Sequence, residues 1–115
     1  MLKLYDYFDT IMQDYKRDPF FENDQFYFAN DIFDLLDIKD KEQQKSVIRR
    51  ALQSCVSSSI SLNNNFRHVY RFNYDGLIAD WQLSALGCYL IIINCDPKYQ
   101  HVAKAQLFFA VKDLK

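Results

Sequence analysis

The stretch Asp80-Trp81-Gln82-Leu83-Ser84-Ala85-Leu86-Gly87-Cys88-Tyr89-Leu90-Ile91-Ile92-Ile93-Asn94-Cys95-Asp96-Pro97 decides the fold. Ser84 is a helix-capping residue type, and the eight residues from Leu86 to Ile93 form an unbroken apolar run. A helix without a polar face must be covered on every side, so the pattern predicts a central buried helix over 84–94. The run is far shorter than the roughly 20 residues that span a bilayer. Asp96-Pro97 reads as an N-cap followed by proline at the first helical position, a strong helix start. Val102, Ala105, Leu107, Phe108, Phe109 and Val111 are the apolar positions of the last helix.

Upstream of this stretch, Phe66 to Phe72 alternates partly like a strand, Asn73-Tyr74-Asp75-Gly76 is a turn, and Leu77 to Trp81 returns as its partner. A polar loop over Ser57–Asn65 precedes the hairpin. Before it, Asp40 is placed to cap a helix running to about Ser57, with Gln43 completing a capping-box-like pair. Its predicted buried stripe is Val47, Ile48, Ala51, Leu52, Cys55 and Val56. Ala29–Leu36 reads as a short helix, and Pro19 to Phe28 as a first hairpin around Glu22-Asn23-Asp24-Gln25. Leu4, Phe8, Ile11, Met12 and Tyr15 mark one face of an N-terminal helix, which Asp18-Pro19 ends. The expectation is a small single α+β domain over 1–115, with about five helices and two short β-hairpins. Residues 1–25 hold the N-terminal helix and the start of the first hairpin.

At 115 residues and net charge −1, the chain is long enough to bury a core without staples. Half of it is hydrophobic and 17% aromatic, which excludes a disordered tail. Two glycines and two prolines are too few for a tight-turned β-sandwich. Met1-Leu2-Lys3-Leu4-Tyr5-Asp6 has no signal-peptide core, so a cytoplasmic protein is expected, with no membrane partner. Cys55, Cys88 and Cys95 include no CxxC pair, and with His68 and His101 they lack zinc-ligand spacing. Free, packed thiols and no metal or other cofactor are the expectation. No nucleophile motif, paired-carboxylate motif or phosphate-binding glycine loop is present, so no catalytic residue is assigned and the protein is read as a non-enzyme. Asp80 and Asp96 have ordinary turn or cap roles open to them.

Charge is unevenly distributed. Residues 1–40 hold ten acids and four bases, net −6, while residues 41–115 hold five acids and ten bases, net +5, which sum to −1. Such asymmetry raises the prospect of a charged partner. The candidate partner-binding cations are Lys45, Arg49 and Arg50 on the third helix, beside Lys41, with Arg67, His68 and Arg71 on the second hairpin. Tyr70, Phe72 and Tyr74 are interleaved with the latter. In a strand, Arg67, Val69 and Arg71 share one face and His68, Tyr70 and Phe72 the other. Two arrangements fit: a β-ribbon that tracks phosphates or enters a groove, or a half-exposed hairpin with its aromatics packed inward. The alternative partner face is acidic: Asp6, Asp9, Asp31, Asp34 and Asp37.

Two segments carry a family resemblance. Phe26-Tyr27-Phe28-Ala29-Asn30-Asp31-Ile32-Phe33-Asp34-Leu35-Leu36, and the stretch from Asp80 through Lys112, resemble the DNA-damage-inducible protein D family and the related Bro-N domains of phage antirepressors. Leu83, Ser84, Cys88, Tyr89, Leu90, Asn94, Asp96, Pro97, Ala103, Gln106, Phe109 and Ala110 hold the family register without a gap, and the likeness covers about 26–112. Ala85-Leu86 replaces an Arg-Tyr of the family pattern, Cys95 replaces a glycine, and Asn30 stands where arginine is frequent. The resemblance implies a DNA-binding or regulatory module of phage, prophage or SOS-linked type; a homodimer is a further partner the sequence leaves open. The alternative it leaves open is an inhibitor of a host DNA-processing or defence complex, such as a RecA-like recombinase or a CRISPR-type nuclease. There the acidic face would imitate phosphate charge.

Overall fold

Ser84 ends one element and starts the next. In the computed structural model, which describes residues 2–17 and 26–113, its hydroxyl accepts from the Gly87 N–H at 3.0 Å and opens α4 (Ala85–Asn94). The other helices are α1 (Leu2–Arg17), α2 (Ala29–Leu35), α3 (Lys41–Ser57) and α5 (Gln100–Asp113), and the strands are β1 (Tyr27–Phe28), β2 (Phe66–Asn73) and β3 (Gly76–Leu83). The α+β architecture with five helices agrees with the sequence reading. So does the central position of α4, which packs on α1, α3 and α5 and touches α2 and β3. Its Cys88, Ile91 and Ile92 are fully buried among Phe8, Ile11, Ile32, Phe33, Val47, Val102 and Phe109.

Polar side chains from neighbouring elements satisfy the ends of α4. Ser84 Oγ donates to Asn65 Oδ1 at 2.7 Å, and Asn65 Nδ2 donates to the Ser61 carbonyl at 2.8 Å; Asn65 and Ser84 are both fully buried. The loop approaches α4 so closely that a Cβ on Gly87 would lie 2.7 Å from the Asn65 carbonyl oxygen. At the other end, Gln106 Nε2 of α5 donates to the carbonyls of Ile92 and Cys95, each at 3.0 Å, and Arg50 of α3 donates to that of Asn94 at 2.6 Å. Helix ends leave carbonyls without intrahelical partners, so these bonds fasten α3 and α5 to α4.

Several expectations shift. The first hairpin, placed over Pro19–Phe28, falls largely on residues outside the described ones. Its described end, β1, pairs antiparallel with β3 through Tyr27↔Leu83 and Phe28↔Gln82. Among the described residues the strands form a three-stranded sheet of order β1-β3-β2. The hairpin over 66–83 is as expected and longer, paired from Phe66↔Leu83 to Asn73↔Gly76. Gly76, with φ of 111°, takes a backbone conformation that side chains disfavour. Asp40 caps α3 as expected, its side chain accepting from the Glu42 N–H at 3.0 Å. Asp96 caps a turn rather than α5 itself. Its side chain accepts from the Lys98 N–H at 3.0 Å, and α5 begins at Gln100. Val56, Leu107 and Val111 are exposed, because no neighbouring element covers those ends of α3 and α5 among the described residues.

Candidate nucleic-acid interface

The β2–β3 hairpin changes character along its length. At its base Phe66 and Leu83 are buried, whereas from Asp80 toward the turn most of its side chains are exposed. Asp80 anchors the transition. Its buried carboxylate accepts from the Trp81 N–H at 2.7 Å, from Arg71 Nη1 at 2.8 Å and from the Asn30 N–H at 3.1 Å. The last bond matters because Phe28, in the N-cap position of α2, has no capping side chain, and Asp80 caps that helix from the neighbouring strand.

Arg71 completes the anchor. Its Nη1 lies 3.5 Å from Asp31 of α2, and its guanidinium sits 3.8 Å from the centre of the Phe28 ring. The hydrogen bond to Asp80 pushes the Arg71 pKa up, and its charge is balanced by two carboxylates. This geometry makes Arg71 a strut between sheet and helix.

A cleft of about 550 Å³ opens beside the strut, between α2, the start of α3 and the hairpin. The structure brings three of the predicted cations to it, Lys45, His68 and Arg71, and adds Lys41. It also brings Asp31, Asp34 and Asp80, so the walls are of mixed sign. The remaining candidates lie elsewhere. Arg50 is engaged with Ser46 and the end of α4, and Arg67 Nε donates to the Asn63 carbonyl at 3.2 Å. Arg49 is exposed on α3, four residues beyond the exposed Lys45 and eight beyond the exposed Lys41.

On the acidic side, Asp6, Asp31 and Asp34 come together around a hollow shared with Tyr7, Thr10 and Leu35. Asp9 accepts from Gln13, and Asp37 lies 4.0 Å from Lys39, which is also 3.7 Å from Asp34. The predicted acidic face is therefore a cluster of three with two outliers.

The model of the BRO family, N-terminal domain (Bro-N) matches residues 20–113. This chain belongs to the BRO family through its Bro-N domain. No curated protein and no solved structure matches it. Within the Bro-N domain, four of the residues that carried the resemblance serve as scaffold. Ser84 caps α4, Cys88 fills the core, Asn94 Nδ2 donates to the Leu90 carbonyl, and Gln106 holds the end of α4. Cys95, in place of the family glycine, sits at φ of −77° and ψ of 155°, where any residue fits.

All three cysteines are free and buried. Burial pushes each thiol pKa up: Cys95 to about 12, Cys88 well above its ordinary value, and Cys55 in the same direction. A thiol held protonated is a poor nucleophile and a poor ligand. Among the described residues, no group of three His, Cys, Asp or Glu converges as a metal site, and no helix is long and apolar enough to cross a membrane.

Sequence reasoning missed two features of this region. The first is the role of Asp80, a carboxylate whose partners lie 9 and 50 residues away in sequence and which no local pattern marks. The second is exposure: Tyr70, Phe72 and Tyr74 face solvent rather than packing inward. Their position next to the turn was the available signal, since the tip of a hairpin is furthest from the core.

Proposed function

We propose that this Bro-N domain is a non-enzymatic, DNA-binding regulatory module of phage or prophage type, working in the cytoplasm. The observation that carries the reading is the row Lys41, Lys45 and Arg49 on α3, three exposed cations at intervals of four residues. That spacing sets successive charges about 6 Å apart along one helix face, a pitch that follows a phosphate backbone. Of the strand-borne cations, Arg67 is engaged with the Asn63 carbonyl and Arg71 serves the Asp80 strut, so neither is counted in this row. Phosphate contacts of this kind position a protein on duplex DNA, and sequence choice then comes from groups that reach base edges. With a net charge of −1, the binding is of modest affinity and steeply dependent on salt.

Fluorescence anisotropy with labelled duplex DNA across a salt series tests the proposal. Wild-type protein is expected to bind at low salt. Lys45→Ala and Arg49→Ala should each reduce the slope of log affinity against log salt by about one unit. Absence of salt-dependent binding would sink the DNA reading. The cluster of Asp6, Asp31 and Asp34 supports a second reading, a basic protein partner. Charge reversal at Asp34 would then slow association, because steering acts mainly on the on-rate.

A further inference from the structure

The outer half of the ribbon carries an aromatic stripe that the domain leaves uncovered. Phe72 and Leu77 are cross-strand partners, as are Tyr70 with Ala79 and His68 with Trp81. Residues two apart on a strand share a face, so these six side chains form one ladder. The rings touch along it: His68 lies 5.5 Å from Tyr70 and 5.1 Å from Trp81, both edge to face. Tyr70 is 66% exposed, Phe72 86% and Leu77 59%, and Tyr74 at the tip is fully exposed.

Aromatic side chains present ~150–250 Å² each, so this stripe with its tip offers roughly 500–600 Å². That is at the top of the range of about 300–600 Å² for the largest apolar patch on a soluble monomer. It is most of the ~800 Å² that each partner contributes to a standard interface.

We propose that this face is a self-association surface whose occupant is the same face of a second copy of the chain, related by a two-fold axis. Charge selects the occupant. The ladder carries no carboxylate, lysine or arginine; its His68, Phe72, Ala79 and Trp81 border the cleft that Lys41 and Lys45 also line, while Tyr70, Leu77 and the tip residue Tyr74 lie outside it. Phosphates or a charged peptide would gain little from that outer part of the stripe. An aromatic ladder, by contrast, is its own complement, since edge-to-face and offset ring pairs form between like side chains. A two-fold sets the same patch on both sides, as an isologous interface requires. Dimerisation would bring two copies of the Lys41–Lys45–Arg49 row into one particle.

Sedimentation velocity on nuclease-treated protein, from micromolar to submillimolar concentration, tests this without DNA. The outcome is therefore independent of the DNA-binding reading. Wild-type protein should show a concentration-dependent dimer. The double variant Tyr70→Lys, Phe72→Lys should weaken it by roughly 100-fold or more, as expected for two central aromatic anchors, with an unchanged far-UV spectrum. A second measurement uses the burial of all three native thiols. Phe72→Cys should form disulfide-linked dimers under mild oxidation much faster than Gln53→Cys, placed on the exposed side of α3. Three results would overturn the proposal: a wild-type monomer at every concentration, a double variant that dimerises like wild type, or equal cross-linking at positions 72 and 53.

Discussion

Phe109 and Phe72 are the same residue type in opposite circumstances. Phe109 is 1% exposed, ringed by Phe8, Tyr89 and Phe108 at 5.5–5.7 Å, while Phe72 is 86% exposed on the ribbon. The difference is the number of elements that reach each position. α5 lies against α1 and α4, so its inner face is closed, whereas the outer ribbon has only its partner strand beside it. A high aromatic content therefore divides here into a share that makes the core and a share that meets partners. Between the two regions stands the Asp80–Arg71 strut, with three hydrogen bonds to the buried Asp80 carboxylate.

The sharpest way to break the helical body, sparing the ribbon, is alkali. The buried thiols of Cys88 and Cys95 have raised pKa values. Their contribution to stability is fully present below the unfolded-state pKa of about 8.5–9 and is lost as pH rises toward the folded-state value, about 12 for Cys95. Unfolding free energy measured in urea should fall by about 3 kcal/mol between pH 8 and pH 11 from Cys95 alone, with Cys88 adding a further loss in the same direction. The Cys88→Ala, Cys95→Ala variant, though weaker overall, should show a flatter alkaline limb.

Next in size is Phe109→Ala. Removing a fully buried aromatic should cost about 4 kcal/mol in a denaturant titration. Asp80→Ala should follow at about 2–3 kcal/mol, because it strands the Asn30 and Trp81 N–H groups and leaves Arg71 with Asp31 alone. Asp80→Asn, which retains an acceptor, should recover part of that loss. Phe72→Ser completes the series. On a ribbon tip already in water it should shift monomer stability by less than about 0.5 kcal/mol. A loss of several kcal/mol there would mean that the ribbon belongs to the core after all.

Local pattern made much of this legible. The apolar run after Ser84, the capping residue Asp40 and the turn at Asn73–Gly76 each act within a few residues, and the structure keeps all three. Asp96-Pro97 misled by one turn, because its side chain found the Lys98 N–H and delayed the helix. The candidate cations were harder to assign. A charge on a helix face looks the same in sequence whether it is exposed to solvent, as at Lys45, or bonds a carbonyl at the end of a neighbouring helix, as at Arg50.

What the sequence determined by itself was the set of elements and the central place of α4. Capping, turn chemistry and hydrophobic periodicity are set by neighbours along the chain, and a helix apolar all round has one stable location. Tertiary structure decided the rest. β1 was drawn to the far edge of β3, Asp80 was placed to cap α2 and hold Arg71, and the aromatics of the ribbon were left outside. Each of these depends on which distant groups approach one another, and burial is a property of what covers a residue rather than of the residue itself.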